Sequence, residues 1–96
     1  MILKQINKEN IFKKIGTISE TDLDEEKIIL NTDSGKFISI NKTGSEIYEE
    51  IDGIKSVNDI ILRLGEKYEN SQELNEDILS FINLLFEKRL IELIDK

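Results

Sequence analysis

The side chains that most often carry catalysis are missing from this chain, which has neither histidine nor cysteine. That excludes imidazole acid–base chemistry, a thiolate nucleophile, thiolate or imidazole metal sites, and disulfides. Any catalysis would rest on carboxylates or lysines, and the densest acidic cluster is the run Ser-Glu-Thr-Asp-Leu-Asp-Glu-Glu over residues 19–26. Asp22, Asp24 and Glu26 match the first, third and fifth positions of a calcium loop. Lys27 then stands where that loop needs glycine and Asp33 where it needs a bidentate glutamate, so the run reads as a solvated connection. There is no glycine-rich phosphate loop and no identifiable carboxylate pair, and no catalytic constellation emerges. The chain calls for no metal and no cofactor.

The residue types do support binding of an extended peptide. Residues 27–41 read as two β-branched runs joined by Asp33-Ser34-Gly35, a hairpin loop whose glycine accepts the left-handed conformation. The second run, residues 36–41, is expected at the sheet edge. An edge strand offers regularly spaced N–H and C=O groups, so an incoming chain gains main-chain hydrogen bonds whatever its sequence. Alternation sends Ile38 and Ile40 to the core and Phe37 and Ser39 to the other face, with Phe37 open as core or groove. Lys36, beside the turn, has a second reading as a guard against edge aggregation.

Specificity then requires side-chain pockets, and Asp77, Phe81, Leu84 and Lys88 supply a helical stripe at i, i+4, i+7 and i+11. Phe81 and Leu84 are placed to receive apolar side chains. Asp77 and Lys88 are placed to pair with charges at opposite ends, each pair worth about 0–1 kcal/mol when exposed. The same spacing is satisfied by plainer roles: Phe81 and Leu84 in the core, Asp77 at a helix start, and Lys88 as a solvated charge complementing the helix dipole.

The elements that must position these residues follow from the pattern. Residues 1–10 are an N-terminal arm, and residues 11–96 form the domain. Residues 11–18 have apolar residues at both parities and read as a first strand with a bulge at Gly16. Thr43 and Glu46 have capping-box spacing before a helix with Ile47, Tyr48 and Ile51 on one face, stopped by Asp52-Gly53. Ser56 starts a second helix carrying Val57, Ile60, Ile61, Leu64 and Tyr68. A break at residues 70–72 precedes a third, over residues 74–89, and residues 90–94 are either a short strand or the last turn of that helix. Strands followed by helices with short connections give an α+β domain, and the last two helices with the apolar tail suggest a winged-helix unit.

Composition narrows the partners. Ninety-six residues, 39% of them apolar, suit one compact domain. A net charge of −7 opposes broad contact with nucleic acid or anionic membrane. No apolar run approaches the roughly 20 residues of a membrane span, and Met1-Ile-Leu-Lys-Gln-Ile6 is too short for a signal peptide, which points to a cytoplasmic protein.

The ordered set Gly35-Lys-Phe37, Ile40-Asn-Lys-Thr-Gly44, Ile47-Tyr48, Ile51-Asp-Gly53, Ser56-Val57, Ile60-Ile61, Tyr68, Asp77-Ile78, Phe81-Ile82, Leu85 and Arg89-Leu-Ile91 resembles the PqqD-like family. These are the recognition elements of pathways that make ribosomally synthesised, post-translationally modified peptides. The resemblance covers roughly residues 27–94. It implies a three-stranded antiparallel sheet joined to a three-helix winged-helix-like unit. It implies binding of a precursor's leader region, added as a strand to residues 36–41 and lying against residues 75–89, for presentation to a separate peptide-modifying enzyme, radical or proteolytic. Arg89 departs from the pattern, since family members often carry glycine there. Two alternatives use the same surfaces. One is a winged-helix DNA-binding regulator, whose recognition helix would bring Glu76, Asp77 and Glu87 against only Lys88 and Arg89. The other is a homodimeric protein-interaction module pairing its own edge strands.

Overall fold

A computed structural model describes residues 6–69 and 71–94. Five strands and three helices follow in the order β1 (Phe12–Lys14), β2 (Ile18–Leu23), β3 (Glu26–Asn31), β4 (Phe37–Ile40), α1 (Lys42–Glu49), α2 (Val57–Lys67), α3 (Gln72–Glu87) and β5 (Ile91–Leu93). β2, β3 and β4 form an antiparallel sheet in chain order, and β1 pairs with β5 in a separate two-stranded ribbon. The expected α+β architecture of a three-stranded antiparallel sheet with three helices is therefore present. No helix among the described residues is long and apolar enough to cross a membrane.

The first strand expected over residues 11–18 is instead two segments. β1 ends at Lys14, and a turn with Ile18 N–H donating to the Ile15 carbonyl at 3.1 Å separates it from β2, so Gly16 marks a turn and not a bulge. The acidic run is a second correction. Most of residues 19–26 is strand, solvated as expected but paired along its length with β3. Burial periodicity could not reveal it, because nearly every residue of β2 is exposed. Its stability comes from backbone pairing and from Lys27, whose Nζ reaches Glu20 at 3.1 Å and Asp22 at 3.7 Å and offsets their repulsion.

Helix starts follow side-chain caps. Ser56 and Asp59 form the expected reciprocal capping box of α2, and Ser71 caps α3. α1 differs from expectation: Asn41, extended at the end of β4, accepts from Gly44 N–H at 2.9 Å, so the helix starts two residues before Thr43 could cap it. Glu46, freed from that duty, accepts from Lys67 Nζ at 2.6 Å and also from the Tyr68 hydroxyl. Gly53 has the expected left-handed φ of 81°, but α1 has already ended at Glu49. Its N–H donates to the Phe12 carbonyl at 3.0 Å and ties the loop to β1. Of the expected N-terminal arm, residues 1–5 lie outside the described residues, as does Asn70 of the expected break. Lys8 and Asn10 accept through their carbonyls from Asn58 and Val57 N–H, both at 2.9 Å.

One face of the sheet and the three helices enclose the core. Ile29 and Ile40 from the sheet, Ile47, Tyr48 and Ile51 from α1 and the loop after it, Val57, Ile60, Ile61 and Leu64 from α2, and Ile78, Ile82 and Leu85 from α3 are all buried. Each aliphatic side chain of this kind stabilises the fold by about 1.5–3 kcal/mol through its removal from water. Leu90 and Ile91 close the end, beside Phe12, whose ring meets that of Phe86 at a 5.3 Å centroid distance.

Candidate functional site

β4 ends the order β2-β3-β4, so one side of it has no strand partner among the described residues. The N–H of Asn31 donates to the Lys36 carbonyl at 2.9 Å, which makes this a hydrogen-bonded pair and sets the alternation along the ladder. Ile38 and Ile40, opposite Ile29 and Lys27, accordingly direct their main-chain groups to β3. Phe37 and Ser39 direct theirs to the open edge. Two residues therefore present main-chain donors and acceptors to an incoming chain, at the spacing an antiparallel strand uses.

Beside that edge lies a groove of about 360 Å³ between β4, the start of α1 and the middle of α3. Its β4 wall is Ile38, Ser39 and Ile40, and its α3 wall is Asp77, Phe81 and Leu84. Six of the nine residues singled out by sequence meet here. Leu84 is 37% exposed although apolar, while Phe81 is partly buried and packs on the core. Leu84 thus lines the groove, and Phe81 forms a wall of it anchored in the core.

The other three lie elsewhere. Phe37 is 60% exposed on the sheet face turned away from the core, so its ring belongs to neither core nor groove, although its backbone belongs to the edge. Lys36 precedes β4 in the hairpin loop. Lys88 is the C-cap of α3, with its N–H donating to the Leu84 carbonyl at 3.0 Å, one turn past the groove lining.

Sequence reasoning missed Asn41, Thr43, Gly44 and Ile47, which complete the lining from α1. Gly44 carried a usable signal. Glycine inside a helix costs about 1 kcal/mol relative to alanine and implies a packing reason. A Cβ built at Gly44 would stand 3.1 Å from Ile40 Cβ and 3.2 Å from Phe81 Cζ. The missing side chain is the space in which Phe81 seats.

Charge around the groove is sparse and acidic. α3 carries Glu73, Glu76, Asp77 and Glu87 and no lysine or arginine. On α1 the Glu46 carboxyl is held below its usual range by hydrogen bonds from Lys67 and Tyr68. On the core side of the sheet, facing Glu49 of α1, Lys27 is opposed by partial burial, yet hydrogen bonds to Glu20 and Glu49 prevail and raise its pKa. No cluster of acidic residues able to hold a metal ion occurs among the described residues.

A three-stranded sheet packed against three helices is also the fold that the comparisons with known proteins support. The family model described as Coenzyme PQQ synthesis protein D (PqqD) matches residues 26–91, the span from β3 to the start of β5. The chain belongs to the PqqD family. It is 30% identical, over 56 residues, to the PqqA binding protein of Stutzerimonas stutzeri (strain A1501), a match covering 58% of this chain. The alignment spans 61% of that relative's length. The same PqqD-family chain superposes on two solved structures whose low identity makes them evidence of fold. TbiB1 in complex with the TbiA(beta) leader peptide matches with a TM-score of 0.72 at 20% identity, covering 88% of this chain and 99% of that one. A lasso peptide synthetase B1 complexed with its leader peptide matches with a TM-score of 0.71 at 23% identity, covering 84% and 96%.

Proposed function

We propose that this protein binds the leader region of a ribosomally synthesised precursor peptide and delivers it to a separate modifying enzyme. The observation that carries the proposal is the open edge of β4 lying directly beside the groove of Ile38, Ile40, Phe81 and Leu84. A leader strand would exchange main-chain hydrogen bonds with Phe37 and Ser39, while alternate side chains entered the groove. Asp77 sits where it can pair with a leader base. Lys36 and Lys88 flank the ends. Family membership, and relatives named for PqqA or for leader-peptide complexes, support the same reading. The protein acts as a peptide chaperone with no chemistry of its own, in the cytoplasm where precursor peptides are made.

The alternative regulator would dock α3 on duplex DNA, and the acids of that helix meet phosphate with the wrong sign. The deciding measurement is an NMR titration of labelled protein with the leader of a small precursor peptide encoded beside it. Saturable shifts confined to β4, the start of α1 and α3 are expected. Absence of shifts with that leader, together with saturable binding to duplex DNA, would overturn the proposal.

A further inference from the structure

The sheet face turned away from the core carries Leu23, Ile28, Leu30 and Phe37, none of which belongs to the core cluster or packs against it. Register places Ser19, Leu30 and Phe37 in one cross-strand row and Thr21, Ile28 and Ser39 in the next, with Leu23 at the end of β2. Leu23 and Phe37 are 50% and 60% exposed. Leu30 and Ile28 are covered only in part. α1, which contacts both β3 and β4, packs against the opposite face, where Ile29 and Ile40 are buried. A face with this much exposed apolar surface, rimmed by polar residues, marks an interaction site.

The surrounding charges specify the kind of partner. Asp24, Glu25 and Glu26 border the apolar rows at the β2–β3 turn, and Asp33 borders them at the other end, all of them exposed. Ser39 Oγ donates to Glu26, and none of the four acids joins an ion pair among the described residues. Of the nearby bases, Lys42 at the start of α1 lines a pocket with Asp24, Glu25 and Glu26 without pairing with them, and the other two point elsewhere. Lys27 faces the core side of the sheet, held by Glu20, Asp22 and Glu49, and register assigns Lys36 to that side too.

We propose that this face docks the peptide-modifying enzyme, through an apolar patch on the enzyme bordered by lysines or arginines. The inference rests on the delivery role proposed above and adds the surface by which delivery occurs. A second copy of this chain is a poor occupant, because two molecules of net charge −7 would bring the same acidic borders together. Strand addition also enlarges the face. A peptide strand joined to Phe37 and Ser39 sets its own alternate side chains beside the Phe37 ring, so the enzyme meets sheet and peptide as one surface.

The test uses the purified modifying enzyme encoded beside this chain and two variants that leave the groove untouched, Leu23→Thr with Leu30→Thr, and Asp24→Lys with Glu25→Lys. Expected are at least a tenfold loss of enzyme affinity in each, with leader affinity within twofold of wild type, and a weaker salt dependence in the lysine variant. Wild-type affinity in both variants, no enzyme binding by the wild type, or a wild-type dimer in sedimentation that the threonine variant dissociates would each overturn it. Leader binding measured in parallel separates the two readings. A chain that needs this face for the enzyme but binds no leader upholds the surface and overturns the delivery of leader peptides.

Discussion

The Asn31 carboxamide donates a hydrogen bond of 2.8 Å to the carbonyl oxygen of Arg89, which lies 58 residues further along the chain. Asn31 is the one buried polar residue among the described residues, and its other side-chain atom, Oδ1, accepts from Thr17 Oγ1 and Asp33 N–H, both at 2.9 Å. A single side chain thus joins the end of β3, the turn before β2, the β3–β4 loop and the turn between α3 and β5. It ties the sheet, whose edge is β4, to the turn that follows α3.

Replacing Asn31 with alanine removes these bonds and leaves the Arg89 carbonyl without its donor in a part-buried site. The expected cost is about 2–3 kcal/mol, from lost hydrogen bonds and an unsatisfied acceptor. Urea denaturation of the variant checks it. A loss under about 0.5 kcal/mol would mean that water replaces the carboxamide.

Arg89 itself has φ of +59°, in the left-handed region that costs a non-glycine residue roughly 1–2 kcal/mol. The Leu90 N–H bonds the Leu85 carbonyl at 2.9 Å, a C-terminal turn that glycine forms without strain. Arg89→Gly should therefore raise stability by about 0.5–1 kcal/mol, after allowing for the greater freedom of glycine in the unfolded chain. A higher urea midpoint at unchanged slope is the expected reading.

How this turn was legible illustrates what the sequence could and could not convey. The departure from glycine at residue 89 was visible beforehand; its conformational meaning was not, because φ is set by the closing turn. Amphipathic spacing delivered α2, α3 and the order of the core, since burial imposes a 3.6-residue period. β2 left no such trace, being a strand solvated along most of its length and recognisable only once its partner is known. In the groove, Phe81, Leu84 and the β4 residues were legible from spacing and alternation. Thr43 and Ile47 were hidden because only the fold brings α1 beside α3, whereas Gly44 left a trace as a glycine inside a helix.

Acidification should destabilise the fold through the loop after α1. Asp52 accepts from Lys55 Nζ at 2.7 Å and from the N–H groups of Lys55 and Ile54 at 2.9 Å, and these bonds hold its carboxyl far below the usual range. Glu50 is lowered too, first by Arg63, which donates at 2.7 Å, and then by Lys55. A carboxylate whose folded pKa is depressed contributes stability above its unfolded pKa of about 4, and that contribution is lost as pH falls toward the folded value. Urea midpoints should fall between about pH 5 and pH 2, and Asp52→Asn should be less stable than wild type at pH 7 with a shallower acid limb. Parallel acid limbs would sink the assignment.

Leu84 offers the cleanest test of the groove. It is exposed and lines the site, whereas Phe81 also packs on the core, so Phe81→Asp would mix lost binding with lost stability. Leu84→Gln keeps helix propensity and should cost at most about 1 kcal/mol of stability. Leader affinity, measured calorimetrically, should fall about tenfold. Unchanged affinity would remove Leu84 from the peptide site.

Gly44 tests whether Phe81 is held by the space beneath it. Alanine normally stabilises a helix interior relative to glycine by about 0.5–1 kcal/mol. Here the new Cβ would stand 3.1 Å from Ile40 Cβ and 3.2 Å from Phe81 Cζ, closer than ordinary van der Waals contact. Ile40 is fixed in the core and its Cβ moves only with the strand, whereas Phe81 is partly exposed toward the groove. The ring is the part that must give way, and its open direction is into the groove. Gly44→Ala should therefore show little of the usual helix gain, shift the Phe81 ring resonances, and weaken leader binding several-fold without unfolding. A gain near 1 kcal/mol with unaltered leader affinity would show that the ring relaxes elsewhere, and that the shape of the groove does not depend on the missing side chain.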